Sequence, residues 1–146
     1  MLFRSIGGHG KRVVTIAAQF ADIFQFTGLT HGAGGVPSAG GFGLEDVRER
    51  ARWLTEAAAG RNVDIERSTL VQVTRVGGDV EAEFDQMVRE FELPREVLEE
   101  TPFVLIGSVE QVADKLERLR EDLGISHVVV RDAEGFAPVV AALAGR

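Results

Sequence analysis

The chain has 146 residues, which is typical of one domain, and its hydrophobic fraction of 45% is ordinary for a globular protein. A formal net charge of -7 argues against a nucleic-acid or anionic-membrane surface, because those partners require concentrated basic residues. The sequence contains no cysteine, which excludes disulfides and thiolate metal sites and predicts a cytoplasmic protein. No apolar run approaches the roughly 20 residues of a membrane span.

A glycine-rich turn that leads into a helix stands near the start of the chain, between Ser5 and Asp22. Its glycines permit positive φ angles and close approach of a ligand, and apolar residues then recur at helical spacing. Free amides and the positive end of the helix dipole would make this turn a seat for an anion such as phosphate. The same pattern fits a simple tight connection with solvated cations. The residues of the predicted anion site are Gly7, Gly8, Gly10, Lys11 and Arg12.

Two strands and a helix surround this turn. We predict an edge strand within Met1 to Ile6, a helix from about Lys11 to Ala21, and a second strand at Ile23 to Phe26. Glycine, serine and proline dominate Thr27 to Gly43 without any period, so we predict a mobile glycine-rich loop there. His31 lies in this loop, where a lone histidine is more often solvated than catalytic.

The middle of the chain alternates helical and extended patterns. Apolar residues three and four apart predict a helix from Leu44 to Ala58 that ends near Gly60. A β-branched run predicts a strand from Ile65 to Val76, and helical spacing returns from Val80 to Phe91. Pro94 then starts a further helical turn. Charged residues on or beside the polar face of the first of these helices are predicted to be solvated: Arg48, Glu49, Arg50 and Arg52.

A capping box marks the next helix. The short apolar segment Phe103 to Ile106 leads to Ser108, whose side chain can cap the helix while Gln111 reaches back to the Ser108 backbone. Apolar residues at helical spacing follow, and Gly124 ends the helix.

The last strand and helix complete the alternation. The apolar run His127 to Val130 predicts a strand covered on both faces, and a helix from about Phe136 to Leu143 tolerates Pro138 in its first turn. The order β-α-β-loop-α-β-α-β-α predicts an α/β fold with parallel strands. Length alone leaves two architectures open: an open doubly wound sheet, or a stretch of a (β/α)8 barrel.

Four segments in this order resemble the C-terminal half of the luciferase-like monooxygenase superfamily, in particular its branch that depends on coenzyme F420, a deazaflavin. The GGxGKR turn and the helix IGSVEQVADKLERLR are the most specific parts of the resemblance. The matching segments are Ile6 to Phe24, Asp46 to Arg61, Asp64 to Val73 and Thr101 to Val130.

The resemblance implies the C-terminal half of a TIM (β/α)8 barrel that binds F420, or alternatively FMN, at the C-terminal ends of its strands. Ile6 would end the fifth barrel strand, and the strand at His127 to Arg131 would be the eighth. By the same resemblance, backbone groups at the turn would hold the cofactor phosphate with two cations beside it. The implied cofactor-binding residues are Gly7, Gly8, His9, Gly10, Lys11 and Arg12.

The implied activity is that of an oxidoreductase, with hydride transfer between reduced F420 and an organic substrate. The alternatives are an FMN-dependent luciferase-like monooxygenase, a non-catalytic half-barrel that binds a phosphorylated ligand or a partner chain, and a small flavodoxin-like domain. No residue is assigned as catalytic. His31 and Arg131 are candidates for substrate or cofactor-tail contacts, and His127 is expected to be a packed core histidine.

The expected organisation is one partial barrel domain over residues 1–146, truncated relative to the family because the half that holds the ring and the proton-transfer residues has no counterpart. A half-barrel leaves two strand edges unpaired, so we expect a homo-oligomer or pairing with a missing half-barrel. No metal site is predicted, because the three histidines show no ligand spacing with nearby carboxylates.

Overall fold

The computed structural model describes residues 3–31 and 37–144 of the chain. Its strands are Ser5–Gly7 (β1), Ile23–Phe26 (β2), Thr30–His31 (β3), Pro37–Ser38 (β4), Glu66–Leu70 (β5), Val73–Val76 (β6), Val104–Gly107 (β7) and Ile125–Val129 (β8). Its helices are Lys11–Phe20 (α1), Leu44–Ala57 (α2), Val80–Phe91 (α3), Arg95–Glu100 (α4), Val109–Leu123 (α5) and Ala133–Leu143 (α6). Within the described ranges, no helix combines the length and the apolar character that a bilayer crossing requires.

The main sheet has four strands in the order β1-β2-β5-β8, and every neighbouring pair runs parallel. Helices follow or precede each of these strands along the chain. The predicted α/β fold with parallel strands is therefore confirmed. Because parallel strands share one direction, their C-terminal ends lie at the same edge of the sheet, where the connecting turns collect.

The two faces of this sheet differ in what covers them. Phe24 and Phe26 are buried on the helix side, and on that side Arg67 donates to the Leu123 carbonyl of α5 at 2.8 Å. The opposite face, called here the open face, carries the register row Gln25, Ser68 and His127 across β2, β5 and β8. In this row His127 is exposed on the outer strand, whereas Ser68 on β5 is fully buried.

The segment from Ile65 to Val76 is two strands, where the sequence predicts one. The Val71 amide donates to the Val129 carbonyl of β8 at 2.9 Å, and the Gln72 amide then donates to the Phe103 carbonyl at 2.8 Å. The chain thus exchanges one parallel partner for another, and β6 pairs with β7 in a separate two-stranded sheet.

The glycine-rich connection from Thr27 to Gly43 contains two short strands. Thr30 pairs with Ser38 and His31 with Pro37, which makes β3 and β4 an antiparallel hairpin. Residues 32–36 lie outside the described residues, so the predicted mobility of that part stays a prediction.

Both ends of the chain also differ from expectation. Strand β1 begins at Ser5 and extends to Gly7, while Met1 and Leu2 lie outside the described residues. At the other end α6 begins at Ala133, because the Asp132 side chain accepts a 2.9 Å hydrogen bond from the Gly135 amide and caps the helix. Pro138 consequently lies in the second turn of α6 and not in the first.

Strand β8 does not have the two covered faces that its apolar run predicts. It begins two residues earlier, at Ile125, and both Ser126 and His127 are exposed. The expectation of a packed core histidine at position 127 is therefore wrong, because that side chain lies on the open face.

The capping box at the start of α5 is confirmed. The Ser108 side chain accepts a hydrogen bond from the Gln111 backbone amide, and the Gln111 side chain accepts one from the Ser108 backbone amide.

Candidate functional site

The turn between β1 and α1 lies at the C-terminal edge of the main sheet. A Cβ atom on Gly7 would lie 3.0 Å from the Gln25 carbonyl oxygen, and one on Gly8 would lie 2.7 Å from the Val13 side chain. Glycine at positions 7 and 8 therefore lets the turn fold back tightly against β2 and the start of α1. Gly10 is different, since among the described residues a Cβ there would meet no atom within 4 Å. The backbone at the start of α1 is therefore open on the side of Gly10.

The N-terminus of α1 has no side-chain cap among the described residues. Gly10 is its N-cap, and in the described structure no side chain caps the helix and its first turn contains no acidic residue. Helices α3, α5 and α6 begin with a capping side chain, at Asp79, Ser108 and Asp132. Helix α2 has no cap but has two acids in its first turn. The first turn of α1 thus carries the unneutralised positive end of a helix dipole.

The first turn of α1 also contains two cationic residues. Lys11 and Arg12 are both exposed, and the Lys11 amino group lies 5.9 Å from the centre of the Trp53 ring on α2. Cations at a helix N-terminus are disfavoured by the dipole unless an anion accompanies them. The structure therefore brings together the amides and the charges that the sequence predicts for an anion site.

His9 contributes differently from its neighbours in the turn. Both ring nitrogens are buried and, among the described residues, neither makes a hydrogen bond of ordinary geometry. The ring lies so close to Gly41 that a Cβ there would be 2.8 Å from Nδ1. Burial and the nearby Arg50 charge lower the pKa of His9, while Asp46 and a weak contact with the Gly40 backbone act in the opposite direction. The imidazole is thus mainly neutral at pH 7 and packs against Gly41, so its side chain adds no positive charge to the turn.

Arg50 is the residue that sequence reasoning missed. It is predicted to be solvated, yet it is only 2% exposed. Its guanidinium donates to the carbonyls of Thr27 at 3.0 Å and Gly41 at 2.5 Å, and it lies 5.9 Å from the centre of the Phe103 ring. Burial lowers the pKa of Arg50 to about 10, and Asp46 opposes the shift, so the group stays charged at neutral pH.

A signal for this burial is present in the sequence. The buried residues of α2 are Val47, Arg50, Ala51 and Leu54, which follow the three-and-four spacing of a single helix face. Arg50 therefore belongs to the apolar stripe by position, although its charge suggests the polar face. Its buried positive charge lies beside His9 and adds to the positive field of the turn.

The two other candidate residues are not joined to the turn. Arg131 is exposed beyond the end of β8, and it makes no hydrogen bond or ion pair with the residues that the structure describes. For His31 the structure gives the backbone, which lies in β3 opposite Pro37.

Four surface grooves are lined by residues of α2, α5 and neighbouring segments, and none of the four includes residues 7–12. Within residues 3–31 and 37–144, no group of three or more histidine or acidic side chains could hold a metal ion.

These elements define half of a (β/α)8 barrel, with a glycine turn at the C-terminal edge of its sheet. The chain is similar in structure to the coenzyme F420-dependent tetrahydromethanopterin reductase from Methanopyrus kandleri, with a TM-score of 0.58 and 12% identity over 92% of this chain and 47% of that one. It is also similar to an F420-dependent secondary alcohol dehydrogenase in complex with an F420-acetone adduct, with a TM-score of 0.61, 12% identity, and coverage of 93% and 46%.

A third similar structure is the long-chain alkane monooxygenase LadA, with a TM-score of 0.57 and 16% identity over 96% of this chain and 40% of that one. The chain thus spans less than half the length of each of these three structures. At these identities the likeness shows the fold, and the expected luciferase-like half-barrel is confirmed at that level. No protein-family model and no curated protein sequence matches the chain.

Proposed function

We propose that the turn at residues 7–12 holds the phosphate of a deazaflavin or flavin cofactor, and that the chain is the phosphate-anchoring half of an oxidoreductase. The observation that carries this proposal is the uncapped start of α1, which has two cations and no acid in its first turn. A phosphate would satisfy the free amides and offset the charges of Lys11 and Arg12 together. A Cβ placed on Gly10 would meet no atom of the described residues within 4 Å, which leaves that side of the helix start accessible to an anion.

Coenzyme F420 is the first candidate for the cofactor, and FMN is the alternative. Two of the similar structures are named as F420-dependent enzymes, one of them in complex with an F420 adduct, and the third is named as a monooxygenase. Either cofactor has a phosphate on a flexible tail, so the same turn fits both. When bound, the cofactor would supply the electron chemistry of hydride transfer or oxygen activation.

The residues of this chain would bind and orient the cofactor without taking part in the redox step. The amides at the start of α1 fix the phosphate, and Arg50 holds the adjoining loop through the carbonyls of Thr27 and Gly41. A tail fixed at the sheet edge limits where the cofactor ring can lie, which is the positioning part of catalysis. No residue of the chain is proposed as a proton donor.

Inorganic phosphate is the first probe for this site. In a nitrogen-15 NMR titration, the amide signals of residues 10–13 should shift progressively with phosphate, while those at the capped start of α5 should not. FMN should bind more tightly than riboflavin, which has the same ring and no phosphate. Amide signals that do not respond, or equal affinity for FMN and riboflavin, would rule out the anchor.

A charge-reversal pair tests the cations of the turn. We expect Lys11→Glu with Arg12→Glu to weaken the binding of F420 or FMN by roughly tenfold or more, because about 1.4 kcal/mol of lost attraction has that effect. The matched control is Arg52→Glu with Arg89→Glu, which makes the same change of charge at exposed positions on α2 and α3. Equal weakening in both pairs would point to net charge and not to a local site.

A second candidate function is a half-barrel that binds a phosphorylated ligand without turnover. The observation that favours it is that, of the predicted candidates, the structure brings together only the anchor turn and leaves Arg131 exposed and apart from it. Oxidation of reduced F420 by the purified chain with added substrates separates the two functions, because only the first produces turnover.

A further inference from the structure

We propose that two copies of this chain join through the edges of their main sheets and close an eight-stranded β/α barrel. Each copy would contribute four parallel strands, and β8 of one copy would pair with β1 of the other at two equivalent junctions. The inference does not require a bound cofactor, because it rests first on the sheet edges and on the apolar surfaces of the two helices beside them, although its charge argument shares Lys11 and Arg12 with the proposed phosphate turn.

The first observation is that, within the described residues, each outer strand of the main sheet pairs with a neighbour on one side and has a free edge on the other. Strands β1 and β8 are its outer strands. The Arg4 carbonyl accepts from the Ile23 amide at 3.1 Å, so the backbone of Arg4 faces β2. Because alternate residues of a strand direct their backbone groups to opposite sides, the amide and carbonyl of Ser5 face outward. An exposed strand edge of this kind is a template for pairing with another chain.

The second observation is an apolar surface on each helix that borders an edge. On α1 the exposed apolar side chains form a stripe at Val13, Ile16 and Phe20, of which Phe20 is 55% exposed. On α6, which follows β8, Val140 is 58% exposed and Pro138 is also exposed. In a β/α barrel the helices after neighbouring strands pack side by side, as α1 and α2 do here. Barrel closure would bring the α1 stripe against α6 of the second copy.

The third observation is that these two helices carry complementary charges at matching ends. Helix α1 begins with Lys11 and Arg12, whereas α6 begins after Asp132 and has Glu134 in its first turn. Both helix starts follow the C-terminal ends of strands, so at each junction Lys11 and Arg12 would lie beside Asp132 and Glu134, two acids against the single neighbouring cation Arg131. Complementary charges at an interface favour this partner and this orientation.

Closure would also enclose the open face of the sheet. Ser68 lies at the centre of this face between Gln25 and His127, and its hydroxyl is buried without a hydrogen-bond partner among the described residues. In a closed barrel the polar row would face the interior. A closed ring removes every free edge, whereas edge pairing that does not close would continue into larger assemblies.

Sedimentation equilibrium without cofactor tests the proposal directly. We expect a species of twice the chain mass of 15.8 kDa, and we expect its dissociation constant to rise by roughly tenfold or more in Ser5→Pro, which removes an outward amide. Val140→Glu should weaken the dimer to a similar extent. The matched control is Val63→Glu, since Val63 is 65% exposed but lies in the loop between α2 and β5, away from both edges. This control should change the constant by less than about twofold.

A mixing experiment identifies the junction itself. Ile16 and Val140 occupy similar levels of α1 and α6, so Ile16→Lys and Val140→Glu should each weaken the dimer of their own chain. An equimolar mixture should regain dimer, because at one of its junctions the substituted lysine meets the substituted glutamate. A monomer at tens of micromolar, assemblies larger than a dimer, or a dimer that none of these changes affects would overturn the proposal.

Discussion

The guanidinium of Arg50 on α2 donates a 3.0 Å hydrogen bond to the carbonyl of Thr27, the first residue after strand β2. A second bond, of 2.5 Å, reaches the carbonyl of Gly41 near the other end of the same connection. One buried side chain thus ties both ends of the glycine-rich segment to α2. The cost of leaving these carbonyls unpaired should make Arg50 important for stability.

Replacement of Arg50 by methionine tests this role. The change keeps most of the side-chain volume but leaves buried acceptors without a donor, so we expect the free energy of unfolding to fall by about 3 kcal/mol. Arg52→Met on the same helix is the matched control, because Arg52 is exposed, and it should change stability by less than about 0.5 kcal/mol. Urea denaturation measures both values, and equal losses would contradict a specific role for Arg50.

Local patterns in the sequence were sufficient for most elements of the fold. The apolar spacing of α3 and α5, the capping box at Ser108 and the strand at Ile23 to Phe26 are all as predicted, because each depends on residues close together in the chain. The glycine turn before α1 is also local, so its uncapped helix start is as predicted from the sequence.

The features that sequence reasoning missed depend on distant partners. The break in the segment from Ile65 to Val76 arises because β6 pairs with β7, and that choice cannot be read from the strand itself. Exposure of His127 follows from its place on β8, an outer strand that pairs with β5 on one side, and that pairing depends on residues far away in the chain. Arg50 is buried because carbonyls from Thr27 and Gly41 surround it, and both lie outside its helix.

A close contact at Gly28 predicts the effect of adding one methyl group. A Cβ at this position would lie 2.7 Å from the Phe103 ring and 2.8 Å from the Phe42 ring. We expect Gly28→Ala to lower the free energy of unfolding by about 1–3 kcal/mol through overpacking. Adding Phe103→Leu should relieve the clash, so the double variant should lose less than the sum of the single losses. Additive losses in thermal or urea unfolding would show that the rings do not crowd this position.

The buried imidazole of His9 predicts a loss of stability in mild acid. Its pKa is lowered below the ordinary value of 6.5, mainly by burial, so the unfolded chain binds a proton more readily than the folded one. Stability from this group is complete above pH 6.5 and declines as the pH falls through that value. We expect the melting temperature to fall between pH 7.5 and 5, and His9→Gln to flatten this part of the profile. An unchanged profile in the variant would rule out His9 as the cause.

Lys115 predicts that the free energy of unfolding also depends on pH on the alkaline side of neutrality. Its amino group donates to the carbonyls of Glu99 and Val104, each at 2.7 Å, and ties the end of α4 to the start of β7. Burial lowers the pKa of Lys115 to about 7, and the charge of Arg118 adds to the shift, while Glu99 and Glu100 oppose it. A neutral amine still has two N–H groups, enough for both carbonyls, so deprotonation does not break the tie.

Stability should therefore rise as the solution becomes alkaline. Between pH 7 and the ordinary lysine value of 10.5, the unfolded chain binds a proton at position 115 that the folded chain does not. The free energy of unfolding should increase over this window by at most about 1.4 kcal/mol per pH unit. The window is favourable for measurement because the chain contains no cysteine or tyrosine.

The two lysines of the sequence provide a matched comparison. Lys115→Met should abolish the rise between pH 7.5 and 9.5 and should also lower stability, because the two carbonyls lose their donor. Lys11→Met should retain the rise, since Lys11 is exposed on α1. Urea denaturation at several pH values distinguishes the variants. A flat profile in the unmodified protein, or the same slope in Lys115→Met, would show that the amino group is already charged in the folded chain.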